Sequence, residues 1–140
     1  MRRHRYCVVH PLTGRYIPKV LLMSNLDKFG KLIAEDLRDS ALNRCLDIET
    51  GTIKSDDCLE LTKELSQFTE SQLQIINRLV TKCIDTGIHD FLFAIEEAQD
   101  ELPILVNGDN IAEKSDGLQG ELFTEDGWYE RFSEHKETGI

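Results

Sequence analysis

The chain has no apolar run near the roughly 20 residues a membrane helix requires; Val20-Leu21-Leu22-Met23 is only four residues long. That excludes a helical membrane span. Arg2, Arg3 and Arg5 have the charge of a signal-peptide n-region, but no apolar stretch of sufficient length follows them, so a cytoplasmic protein is expected. Cysteine is scarce too. Cys7, Cys45, Cys58 and Cys83 form no Cys-x-x-Cys pair, which argues against a zinc site or a disulfide framework. Three of the four fall on apolar stripes of expected helices, so reduced, core-filling thiols are the natural reading. A Walker loop, a dinucleotide glycine fingerprint, a His-Glu-x-x-His pair, an EF-hand loop and a Gly-x-Ser-x-Gly elbow are all missing. With them go the readily recognised enzyme classes, and no cofactor or metal is expected. No internal repeat is found.

Acidic residues are what the chain has in excess. Over its 140 residues the formal charge is −10, unevenly distributed. Residues 1–20 carry five Lys or Arg and no acid, residues 21–100 carry eight basic against sixteen acidic groups, and residues 101–140 carry three against ten. Such a field repels nucleic acid and attracts basic surfaces. An apolar content of 40% and a charged content of 30% suit one folded domain over residues 1–140.

The clearest organisation lies between Thr69 and Asp100. Thr69 and Gln72 have capping-box spacing, so a helix is expected from about Glu70. Leu73, Ile76, Val80, Cys83 and Ile84 form its apolar stripe, and Ile75 and Leu79 widen it. Gly87 is a stop signal and Asp90 a cap for a second helix striped by Phe91, Ala94, Ile95, Ala98 and Leu102. The expected result is an antiparallel helical hairpin. Ser24 caps an earlier helix in which Leu26, Phe29, Ile33, Leu37, Ala41, Cys45 and Ile48 keep helical spacing, with a weak point near Asp39-Ser40 and a stop at Glu49-Thr50-Gly51. Ser55 starts another, with Cys58, Leu61 and Leu65 on one face and Phe68 expected to pack at the corner before Thr69.

The helical core thus covers residues 24–101. Residues 1–20 form a basic strand or arm in which Arg5–His10 and Arg15–Ile17 flank a Pro11–Gly14 turn, with Pro18 limiting the second strand. Residues 103–134 supply a hairpin around Asn107-Gly108, a glycine-rich loop, and a short helix over 125–134 capped by Thr124 and stapled by Phe123 and Trp128. The last residues look frayed. The predicted fold is mostly α, with four or five helices and one or two short β-hairpins from the chain ends; the alternative is an α+β domain pairing Arg5–His10 with Ile104–Val106.

Function is read from charge and missing chemistry. Glu121, Glu125, Asp126, Trp128, Tyr129 and Glu130 combine acids with aromatics on a turning backbone, which suits recognition of a basic protein surface. Trp128 serves equally well as an anchor to the core. The expectation is a non-enzymatic protein-binding module, such as an inhibitor or immunity-type protein, with no nucleic-acid or membrane partner and no catalytic residue. Two alternatives remain: a small metal-dependent hydrolase using His89 and Asp90, and a structural or regulatory subunit that self-associates through apolar helix faces.

Overall fold

The computed structural model describes residues 23–140 throughout and, before them, the backbone of two strands, β1 (Cys7–Val9) and β2 (Tyr16–Pro18). They pair antiparallel, with Cys7 opposite Pro18, Val8 opposite Ile17 and Val9 opposite Tyr16. This hairpin is a sheet of its own and is not shared with residues 104–106. The residues expected to flank it, Arg5, Tyr6, His10, the Pro11–Gly14 turn and Arg15, lie outside the described residues.

The remainder is mostly α. One long helix runs over residues 25–49 in three parts: α1 (Asn25–Lys31), a π-helical segment (Leu32–Asp39) and α2 (Ser40–Glu49). It begins where expected, with the Ser24 hydroxyl accepting from the Asp27 amide at 3.0 Å, and ends before Gly51, whose φ of 70° suits glycine. The π segment corrects the expected stripe. Its wider i→i+5 turn takes up about one more residue per turn, so after Ile33 and Ala34 the residues facing inward are Arg38 and Asp39 rather than Leu37, followed by Leu42. Leu32 and Leu37 are rotated outward and stand 53% and 43% exposed.

α3 (Asp56–Leu65) and α4 (Glu70–Glu97) both pack on α2. The Thr69–Gln72 capping box is formed in full. Gly87 does not stop α4, which continues through it for 28 residues, so the expected helical hairpin is replaced by one helix and Asp90 caps nothing. An interior glycine costs a helix only about 1 kcal/mol, and burial of Ile88 and Leu92 on the far side of Gly87 outweighs that. Three further expectations fail at this end. Ile75 and Leu79 face solvent, Cys83 is exposed rather than core filler, and Phe68 is 44% exposed at its corner. No residue of α3 is buried, and the first buried residue of α4 is Thr81.

The C-terminal third closes the core. β3 (Leu105–Val106) and β4 (Asp109–Asn110) form the expected hairpin, turned by Asn107 and Gly108 with φ of 51° and 90°. Two 3₁₀ turns follow, Ala112–Lys114 and Leu118–Leu122, and then α5, which spans only Trp128–Phe132. Its N-cap is Gly127 and not Thr124. A Cβ at Gly127 would strike the Phe123 carbonyl, so the backbone approach there leaves room only for glycine. The expected Phe123–Trp128 staple gives way to two edge-on ring pairs, Phe123 with Tyr129 at 5.5 Å and Phe29 with Trp128 at 6.0 Å. Trp128 also lies over Gly30, leaving no room there for a side chain. Ile33, Ala34, Ile88, Leu92, Leu118, Leu122, Trp128 and Tyr129 make up most of the core.

Candidate functional site

The π segment presents two different sites on its two sides. On the inner side Arg38 is fully buried, an expensive position for a cation unless every donor is matched. Its Nε donates to Asp85 Oδ1 at 2.6 Å and Nη2 to Asp85 Oδ2 at 3.1 Å, a two-toothed pair between the π segment and α4. Nη1 donates to Ser133 Oγ at 2.9 Å and to the Lys136 carbonyl at 2.6 Å. The guanidinium carbon also sits 4.0 Å from the Tyr129 ring centre. Asp39 extends the network by accepting from Ser133 Oγ at 2.5 Å and from the Glu134 amide at 2.8 Å. With the Ile140 amide donating to Thr81 Oγ1 at 3.3 Å, residues 133–140 are tied to two helices, and the expectation of a frayed terminus is corrected. Burial, and after it the Asp85 carboxylate, hold the Tyr129 phenol above its ordinary range, so it stays neutral.

This network is a structural latch, since the guanidinium donors are spent on protein groups. A shallow polar cleft of about 250 Å³ lies beside it, lined by Glu35, Asp39, Asn43, Phe132 and Glu134. Its side chains also satisfy one another: His135 Nε2 donates to Asn43 Oδ1 at 2.8 Å and Asn43 Nδ2 to Glu134 Oε1 at 2.5 Å, while Lys31 pairs with Glu35.

The outer side is apolar and open. Phe29, Leu32, Ile33 and Leu37 from the long helix, Phe91 and Ile95 of α4, and Ile104 line a groove of about 340 Å³. Asp36 is the single charged residue of the lining. Phe91 is 54% exposed; together with Leu32 and Leu37 it gives contiguous apolar surface of the kind that marks interaction sites.

The residues singled out in sequence are dispersed by the fold. Trp128 and Tyr129 are both 0% exposed, which takes them off any surface and leaves the anchoring role for Trp128. Glu125, Asp126 and Glu130 are exposed as expected, whereas Glu121 is half-buried and accepts from Ser115 Oγ at 2.7 Å. Glu96 of α4 likewise accepts from the Leu118 amide at 2.8 Å. His89 and Asp90 touch at 3.1 Å mid-helix with side chains 44% and 72% exposed; among the described residues no three His, Cys, Asp or Glu converge as metal ligands. Cys45 is half-buried, and burial, then Glu49, raise its thiol above its ordinary range, away from nucleophilic use.

Nothing in the sequence marks Arg38, Asp39, Asp85 and Ser133 as partners in one buried network. A single arginine beside an apolar stripe looks like a solvated charge, and only a π turn places it inside. No protein-family model matches the chain, and comparison with curated proteins and with solved structures brings up no match. Among the described residues no helix is long and apolar enough to cross a membrane.

Proposed function

We propose that this chain is a non-enzymatic, cytoplasmic protein-binding module for a partner with a basic surface, acting as an inhibitor or immunity-type protein does. The groove is the observation that carries this reading. A half-exposed Phe91 flanked by Leu32 and Leu37 supplies an apolar anchor site, while a surplus of carboxylates over the same molecule supplies steering toward Lys and Arg. In such an interface the apolar centre sets the off-rate, and rim acids such as Glu125, Asp126 and Glu130 set the on-rate.

Affinity capture from a lysate of the source organism, run side by side with the full chain, Phe91→Glu and Glu125→Lys, is the test. The partner should be lost with Phe91→Glu, bind more slowly to Glu125→Lys at low salt, and weaken as salt rises. Equal recovery on a folded Phe91→Glu protein removes the groove from this reading, and affinity insensitive to salt removes the basic partner.

A second reading, self-association, is favoured by Ile75 and Leu79, which stand 63% and 62% exposed one turn apart on the outer face of α4. Sedimentation of the full chain against Leu79→Gln decides it: a concentration-dependent dimer abolished by that change is the outcome it requires.

A further inference from the structure

We propose that the outer face of α4 is a contact surface for a second copy of this chain, the two helices packing antiparallel about a two-fold axis at Thr86. The inference rests on the self-association reading and adds to it the direction and register of the contact. Leu79, Lys82, Thr86, Asp90 and Phe93 are all exposed on α4. At 3.6 residues per turn they fall within about 40° of Thr86 around the helix, in one stripe about 21 Å long. The stripe points away from the core, toward which α4 turns Thr81, Asp85, Ile88 and Leu92.

The order of these residues singles out a second copy as the occupant. Leu79 and Phe93 stand seven residues before and after Thr86, and Lys82 and Asp90 stand four before and after it. A half-turn about Thr86 therefore brings Leu79 of each copy to Phe93 of the other, and Lys82 of each copy to Asp90 of the other. A two-fold contact needs a surface complementary to itself, and this stripe is so in both its apolar and its charged positions. Parallel pairing in register would set Lys82 on Lys82 and Asp90 on Asp90, and like charges in contact oppose association.

Charge along the rest of α4 favours the same direction. Residues 71–84 hold no acid and two cations, Arg78 and Lys82, whereas residues 85–97 hold Asp85, Asp90, Glu96 and Glu97 and neither Lys nor Arg. Antiparallel packing lays the cationic half of each helix along the acidic half of the other, in a chain whose net charge of −10 otherwise keeps copies apart. The axis falls at small residues, Thr86 and the neighbouring Gly87, which let two helix backbones approach. None of the five stripe residues lines the apolar groove, so pairing leaves it open. One helix face per copy makes a small interface, and the dimer is accordingly reversible.

The test is sedimentation velocity of the full chain over a range of concentrations at low salt. Lys82→Asp, Asp90→Lys and the double variant are run beside wild type, each first shown to be folded by circular dichroism. Lys82 and Asp90 are about 12 Å apart along one helix, so exchanging both restores an ion pair only between two copies. Wild type should associate as its concentration rises. Each single variant should weaken that association roughly tenfold, and the double variant should return to within about twofold of wild type. A double variant no stronger than the singles, or singles that associate as wild type does, overturns the antiparallel contact. If the dimer is then still abolished by Leu79→Gln, self-association stands and only this geometry fails. A wild-type chain that stays monomeric at every concentration removes both.

Discussion

The helix over residues 25–49 is treated differently on its two sides. On one side Gly30, Ala34 and Arg38 lie under Trp128, Tyr129 and Ser133, with ring packed on backbone and all three guanidinium nitrogens hydrogen-bonded. On the other, Leu32 and Leu37 look across at Phe91 with nothing over them among the described residues. Ala34 and Arg38 on the one side and Leu32 and Leu37 on the other belong to the same eight π-helical residues. The C-terminal segment packs on one of these sides, so the buried latch and the open apolar groove lie on opposite faces of one element. Apolar surface left open beside a buried face is what favours the groove over the aromatics of α5 in the proposed function.

That contrast can be broken at the sealed side first. Trp128→Ala removes the largest fully buried side chain and should cost about 3–5 kcal/mol of folding stability, read from chemical denaturation. A cost below about 1 kcal/mol would mean that Trp128 does not hold the seal. Arg38→Met leaves the Asp85 carboxylate without its cation and should also cost about 3–5 kcal/mol, whereas Arg38→Met with Asp85→Leu should recover much of the loss. A double variant no better than the single would show that the ties to Ser133 and Lys136 matter more than the ion pair.

The open side should respond weakly. Gly87→Ala meets nothing within 4 Å and should stabilise α4 by about 0.5–1 kcal/mol; destabilisation would argue that α4 is not continuous there. Leu37→Gln should leave the melting midpoint within about 0.5 kcal/mol of wild type while weakening whatever fills the groove. A large stability loss would place Leu37 in the core after all.

The smallest effect belongs to the Asp27–Arg131 pair at 2.8 Å, which ties α1 to α5 at the rim of the sealed side. Its hydrogen bond to Arg131, opposed by burial, holds the Asp27 carboxyl below its ordinary range. A depressed carboxyl contributes stability above its unfolded pKa of about 3.9 and loses it as the pH falls through the lower folded value. Asp27→Asn should therefore cost about 0.2–0.5 kcal/mol near neutral pH, discounted for solvent exposure, and nothing once wild-type Asp27 is protonated. A cost that persists unchanged at pH 2 would assign it to packing.

The local parts of the structure were legible because their causes are local. Ser24, Thr69 with Gln72, and Gly51 fix helix ends through hydrogen bonds and backbone angles within a few residues, and Asn107-Gly108 fixes its turn in the same way. Gly87 misled because a stop signal is a preference of about 1 kcal/mol, and burial beyond it reversed the outcome. Thr124 misled for a related reason: the close approach of Gly127 to the Phe123 carbonyl overrode a good capping residue.

Sequence alone determined the mostly helical class, the capped starts at Ser24 and Thr69, the two hairpins and the charge contrast between residues 1–20 and the rest, since each depends on composition or on neighbours in the chain. Tertiary structure decided which residues face inward. By inserting one residue into a turn, the π segment exchanged Leu37 for Arg38, sank a charge into the core where Asp85 and Ser133 could meet it, and left a row of leucines outside. That choice depends on contacts 47 and 95 residues away along the chain, beyond the reach of any local pattern.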